Sequence, residues 1–265
     1  MNKPQYHVVS LSGGKDSTAM LLMMLERNMP IDHILFCDTG MEFPAMYDHL
    51  NKLEKYTGRP ITRISADKSF QFYLLEAEVK RKPDSPVIHR CGCNPRGNGW
   101  PGPQLRWCTS RLKTDVINAH LRELKKDCQV IQYIGIAADE PKRVKALNYP
   151  LVDWGVTEKQ ALAYCCEKGF DFGGLYEMFD RVSCWCCPLQ GLAELRALRT
   201  HFPELWKDLL TWDHQSWRQF RADFSVQELD TRFAFEEECL AIGKSVKGKA
   251  FFSALHERLG KNAGV

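Results

Sequence analysis

Ser12-Gly13-Gly14-Lys15-Asp16-Ser17 is the stretch on which the fold turns. The apolar run His7-Val8-Val9-Ser10-Leu11 precedes it, and a helical pattern, Thr18-Ala19-Met20-Leu21-Leu22, follows. Strand, glycine turn and helix in that order aim backbone N–H groups and the positive end of a helix dipole at one point, which suits a phosphate. The paired glycines let the backbone approach an anion closely. Lys15 adds a mobile cation, Ser12 and Ser17 add hydroxyls, and Asp16 can hold a metal or cap the helix. The G-x-x-x-x-G-K-[ST] spacing of a Walker A loop is absent.

Working outward, His33-Ile34-Leu35-Phe36-Cys37 reads as a second, central strand ending in Asp38-Thr39-Gly40. Phe43 to Thr57 reads as a helix, Ile61 to Ser65 as a third strand, and Val130 to Ile136 as a fourth that runs on toward Arg143. This βαβαβ order predicts an α/β fold, a doubly wound parallel sheet. Such sheets bind ligands at the carboxyl ends of their strands, which makes Asp38, Thr39, Gly135, Glu140 and Arg143 candidates there. Asp139, Lys142, Arg111 and Lys113 are further charged candidates at strand and helix edges.

Ser69 to Lys80 is expected to be helical, and Lys82 to Arg106, rich in proline and glycine, an irregular loop. A helix is expected from Cys108 to about Lys126, an extended stretch at Tyr149–Trp154, and a helix capped by Thr157. From Leu192 onward the pattern is helical. The expected organisation is a nucleotide-binding domain over 1–190, carrying a Cys/Gly/Pro-rich inserted loop at 82–108, and a helical extension over 191–265. The aromatics Phe202, Trp206, Trp212, Trp217, Phe220 and Phe224 recur at helical intervals, which favours packing. The other reading stacks them on bases, with Lys207, Arg218 and Arg221 on phosphates. The loop tip Arg96-Gly97-Asn98-Gly99-Trp100 is a further possible contact.

A net charge of +3 does not by itself demand a nucleic-acid partner. No apolar run reaches membrane-spanning length. The start, Met1-Asn2-Lys3-Pro4-Gln5, enters a strand without a signal-peptide pattern, so a cytoplasmic location is expected. Eleven cysteines in a reducing compartment point to metal or redox chemistry rather than disulfides. Cys184-x-x-Cys187 followed by Pro188 has the spacing of iron–sulfur or zinc ligands. A [4Fe–4S] cluster, structural zinc, and free or catalytic thiols all remain open on spacing alone. Cys37, Cys128, Cys165, Cys166 and Cys239 read as buried small hydrophobes.

Several of these stretches together resemble the PAPS reductase family within the N-type ATP pyrophosphatases. Residues 12–17 resemble its PP-loop, SGGxDS. Cys37 to Pro44 resembles its strand-two edge, and Trp107 to Lys113 its basic, cysteine-containing segment. Gly135 to Arg143 resembles a G-I-R-x-x-E-x-x-R segment, with Ala137 where an arginine often stands. Pro150 to Trp154, Leu175-Tyr176 and Cys184-x-x-Cys187-Pro188 resemble its late motifs. The resemblance implies an adenine nucleotide alpha-hydrolase-like fold that binds an adenine nucleotide and Mg²⁺. The nucleotide would be held by Ser12, Gly13, Gly14, Lys15, Asp16, Ser17, Asp38, Thr39, Gly135, Glu140 and Arg143, with Lys15 and Asp16 as catalytic residues. It also implies Cys108 as a third cluster ligand beside Cys184 and Cys187, with Cys186, Cys93 or Cys91 as the fourth.

PAPS reductases proper carry a tail cysteine, whereas Arg258 to Val265 has none. That turns the expectation from sulfonucleotide reduction toward ATP and adenylation with pyrophosphate release, on a nucleic acid or a sulfur carrier. The alternatives are a sulfonucleotide reductase using an unusual thiol such as Cys93 with a thioredoxin-like reductant, and a regulatory nucleotide-binding module with structural zinc.

Overall fold

The computed structural model describes residues 3–145, 147–182 and 184–261. Part of the tail discussed above, 262–265, lies outside them. The chain divides into two compact units, Met1–Phe70 with Arg106–Trp185, and Gln71–Leu105 with Cys186–Val265.

The first unit is a parallel sheet flanked by helices. Its strands are β1 (Gln5–Leu11), β2 (His33–Asp38), β3 (Ile61–Ser65) and β4 (Gln129–Ile134), in the order β3-β2-β1-β4. Registers such as Val9↔Ile34, Val9↔Tyr133 and Cys37↔Ile64 are all parallel. Successive residues Val8 and Val9 are both fully buried, so both faces of β1 are covered. On one face Val8 and Leu35 pack with Leu121 of α3 (Asp115–Asp127). Helix α1 (Lys15–Glu26) packs on β1 and on α4 (Glu158–Glu167), and α2 (Pro44–Thr57) follows β2. The chain steps from β1 to β2 and β3, then returns to place β4 on the other side of β1. The switch point of the sheet therefore lies between the carboxyl ends of β1 and β4.

Local structure departs from expectation at three places. Tyr149–Trp154 is not extended: Pro150–Asp153 forms a helical turn with Pro150 at its first position, a place where the missing N–H costs nothing. The Ser69–Lys80 helix is cut to a π-helical turn, Phe72–Glu76, because the 97–99 backbone captures the carbonyls of Tyr73, Leu74 and Ala77. The loop beyond Lys82 contains a short helix, Pro86–Cys91, capped by the Ser85 hydroxyl and closed by Gly92 at φ +69°.

The second unit is built on α5 (Leu192–His201), α6 (Pro203–Gln215), α7 (Val226–Ala241) and α8 (Lys249–Arg258). Phe235, Cys239, Phe251 and Leu255 form a core between α7 and α8. Trp206 packs on Phe233 and donates to Asp230, and Trp212 is buried, so these aromatics pack as the periodicity favours. Trp100 is no exposed loop tip: it is fully buried, edge-on to Phe220. Among the described residues no helix is long and apolar enough to cross a membrane.

Candidate functional site

Gly13 adopts φ +82°, and Gly14 leads into α1 in extended conformation without side-chain capping. A glycine is required at Gly13 by that dihedral, and the turn it makes leaves the first-turn amides of α1 pointing out of the helix. Inside the loop, Ser17 Oγ accepts from Ser12 N at 3.1 Å, lies 3.0 Å from Ser12 Oγ and donates to Gly14 O. Ser12 and Ser17 therefore brace the turn. One amide is already engaged: Lys15 N–H donates to the Tyr176 hydroxyl at 2.8 Å.

The Lys15 ammonium is almost fully enclosed. It lies 3.0 Å from Glu158 and 3.5 Å from Asp16, over the Tyr176 ring. Asp16, Glu140 and Glu158 bring carboxylate oxygens within 4.8 Å of one another. Burial pushes the Asp16 carboxyl up to about 6, Lys15 opposes this, and Glu158 and Glu140 add to it. Asp16 Oδ1 is buried with no hydrogen-bond partner. Hard oxygen donors with one orphaned oxygen are the donor set that a divalent cation such as Mg²⁺ takes.

Gly135 explains how the β4 edge reaches this point. A Cβ there would lie 2.6 Å from Ser17 Cα and 2.7 Å from Ser17 N. The backbone beyond β4 thus lies directly on the first turn of α1, which carries Glu140 toward Asp16. Arg143 and Arg181 both pair with Glu140. Asp139 accepts from Glu158 N at 3.0 Å and so caps α4, alongside the Thr157–Gln160 capping box.

A second group lies at the end of β2. Asp38 accepts from Gly40 N and from the Tyr47 hydroxyl. Thr39 Oγ1 and the amides of Thr39 and Met41 bond the buried carboxylate of Glu42. Burial raises the Glu42 pKa despite Lys113 at 3.9 Å. Burial alone would lower Lys113, but Cys184, Glu42, Cys37 and Cys108 hold its pKa above the ordinary value. Met41 O accepts from Trp185 N at 3.0 Å and Glu42 bridges Cys184, which holds Cys184 at this edge.

Of the proposed ligands, Cys108 and Cys184 are therefore gathered about Lys113 in the first unit, while Cys91, Cys93, Cys186 and Cys187 belong to the second. Cys37, Cys165 and Cys239 are buried as expected, but Cys166 is exposed and Cys128 partly so. Of the charges read as phosphate contacts, Arg111 pairs with Asp115, Arg143 with Glu140 and Lys113 with Glu42. Tyr176 and Glu158 are the site residues that sequence reasoning missed. Tyr176 stood in a quoted motif without a role, and Glu158 read only as the first residue of a capped helix.

A parallel sheet whose first strand feeds a glycine turn and a helix N-terminus at the switch point defines an α/β fold with a PP-loop-like turn. Residues 6–86 match the family model of the phosphoadenosine phosphosulfate reductase domain. An uncharacterised protein of Methanocaldococcus jannaschii is 25% identical over 215 residues, 76% of this chain and 40% of its own length. An uncharacterised nin region protein of Escherichia phage lambda is 30% identical over 176 residues, 62% of this chain and 60% of that protein. The chain thus spans less than two thirds of either relative. The crystal structure of a phosphoadenylyl-sulfate reductase from Candida auris is similar with a TM-score of 0.45 and 15% identity, over 68% of this chain and 81% of that one.

Proposed function

We propose that the first unit binds ATP with Mg²⁺ at the PP-loop and transfers the adenylyl group to an acceptor, releasing pyrophosphate, in sulfur or nucleic-acid modification chemistry. The observation that carries this reading is the convergence of Lys15 with Asp16, Glu140 and Glu158 at the N-terminus of α1. An acceptor oxygen or sulfur forms a bond to the α-phosphorus, and the bond from that phosphorus to the β-phosphate oxygen breaks. The electron pair leaves on pyrophosphate, whose charge is met by Lys15 and the loop amides. Asp16, Glu140 and Glu158 would hold Mg²⁺, which supplies further charge neutralisation when bound. Ser12 and Ser17 keep the loop in shape.

Cys108 and Cys184 of the first unit would serve as ligands of a [4Fe–4S] centre. When bound, such a centre supplies redox chemistry.

A second reading, a sulfonucleotide reductase, draws on the exposure of Cys93, which leaves that thiol free to reach a substrate or a thioredoxin-like reductant. The deciding experiment supplies ATP and Mg²⁺ with candidate acceptors and measures pyrophosphate. Acceptor-dependent release that Lys15→Ala abolishes supports adenylation. Sulfite from PAPS and reduced thioredoxin, with no pyrophosphate from ATP, replaces it with the second reading.

A further inference from the structure

The second unit holds a cavity of about 840 Å³ that the PP-loop does not explain. Three arginines, Arg90, Arg218 and Arg221, line it with a single carboxylate, Asp223. Arg221 is already committed, to Asp223 at 2.8 Å and to the carbonyl of Gln190 at 2.7 Å. Arg90 and Arg218 have no carboxylate partner among the described residues, so the wall carries two uncompensated guanidinium charges. The wall is also built rather than loose. The Asp213 carboxylate accepts from Phe220 N and Val226 N, both at 2.7 Å, and so pins the segment bearing Arg221 at both ends, while Ser216 Oγ donates to the carbonyl of Arg218 at 2.8 Å. Arg218 Nη2 lies so close to Gly102 that a Cβ there would come within 3.0 Å of it.

Gln190 adds an independent sign. It is 6% exposed, and neither its carboxamide oxygen nor its nitrogen has a hydrogen-bond partner. A buried carboxamide with both ends unpaired costs free energy that a ligand bringing a donor and an acceptor would recover. The same cavity has apolar wall from Pro188, Leu189 and Phe220. Free guanidinium groups suit phosphate, a paired donor and acceptor suit the edge of a nucleobase, and apolar wall suits its face.

We propose that this cavity binds a nucleotide unit, with Arg90 and Arg218 on the phosphate and Gln190 and the apolar wall on the base. The site is separate in sequence and in unit from the PP-loop and does not depend on what that loop binds. Two sources carry this chemistry, a free mononucleotide and a single-stranded polynucleotide.

The test uses the full chain with Lys15→Ala, which removes the PP-loop lysine from the measurement. The probe is a fluorescein-labelled single-stranded oligonucleotide of about ten nucleotides, a length within the usual site size. Arg90→Gln and Arg218→Gln are each expected to weaken binding about tenfold, as loss of a charge-assisted contact does. Each should also reduce the slope of log affinity against log salt by about 0.7. Gln190→Ala should weaken binding without changing that slope. Arg90 is exposed, so its substitution leaves the fold intact. If adenosine 5′-monophosphate displaces the oligonucleotide, the free nucleotide suffices as ligand. If it does not, and binding is still arginine-dependent, the polynucleotide is the source. Binding that ignores both arginine substitutions, absence of binding by both probes, or displacement by inorganic phosphate as effective as by the mononucleotide overturns the proposal.

Discussion

The backbone N–H of Lys15 donates to the hydroxyl of Tyr176 at 2.8 Å, across 161 residues of sequence. That amide belongs to the first turn of α1, where a phosphate oxygen would otherwise accept. Tyr176 thus holds the place of a ligand atom, and a nucleotide reaching this amide must displace it. The expected outcome for Tyr176→Phe is ATP binding tighter by roughly three- to tenfold, the worth of one hydrogen bond no longer in competition. Titration calorimetry checks it. Weaker binding would show instead that the hydroxyl positions the loop for the ligand.

Lys15 is the cation that lies against Asp16 and Glu158. Lys15→Met leaves Asp16, Glu140 and Glu158 within 4.8 Å of one another with that cation removed. The melting temperature is expected to fall, and millimolar Mg²⁺ is expected to raise it more in Lys15→Met than in the unsubstituted chain, because a bound cation replaces the lost charge. Thermal unfolding with and without Mg²⁺ at one ionic strength measures the difference. An equal response in both proteins would remove the divalent site from the proposed mechanism.

Gly135 has no need of a positive φ; its constraint is space. A methyl group would sit 2.6 Å and 2.7 Å from backbone atoms of Ser17, which cannot give way as a flexible side chain can. Gly135→Ala is therefore expected to cost about 3 kcal/mol of stability through overpacking. It should also weaken nucleotide binding, because the first turn of α1 must move. Urea unfolding together with a binding titration tests both. A substitution neutral in both would mean that β4 and α1 separate freely.

Much of this site is local and was therefore legible. The strand–glycine–helix order fixes β1, the loop and α1 through dihedrals and periodicity that lie within a dozen residues. The parallel sheet follows from helices alternating with apolar strands. What was not legible is non-local. Glu158 reaches Lys15 because α4 packs on α1, and Tyr176 reaches it from the separate turn Leu175–Met178, and nothing in their own neighbourhoods announces either. Glu42 stood in a quoted motif, but its burial under Thr39 and beside Lys113 depends on the chain near 184–185 pairing with Met41. Trp100 was misread as a tip because glycine-rich composition suggests exposure, whereas it packs on Phe220.

His49 supplies the clearest pH dependence of stability. It is 4% exposed, lies 3.0 Å from Thr18 Oγ1 and packs against Phe170 and Phe172. Burial first, and Lys52 second, lower its pKa from 6.5 to about 4, with Asp171 opposing. The unfolded chain takes up a proton at this residue as pH falls through 6.5, while the folded chain resists until about 4. The contribution is therefore complete above pH 6.5 and is lost progressively toward pH 4, on the order of 3 kcal/mol in all. His49→Gln keeps a partner for Thr18 but does not titrate. The stability difference between the two proteins, from urea midpoints at pH 7 and pH 5, should shift in favour of His49→Gln at the lower pH. A constant difference would mean that His49 is hydrated in the native state.

Cys108 and Cys184 both influence Lys113, whose ammonium lies 3.9 Å from Glu42. The deprotonated thiol is the state that binds metal. Protein purified without oxygen is expected to be brown and to contain iron and acid-labile sulfide. Cys108→Ser and Cys184→Ser should each lose most of that iron, while Cys239→Ser, in the core between α7 and α8, should retain it. Colourless protein with stoichiometric zinc lost in the same two variants would assign the thiols to a structural zinc site instead. Retention of iron in both variants would move the centre away from Lys113 altogether, and with it the reason for a buried lysine among thiols.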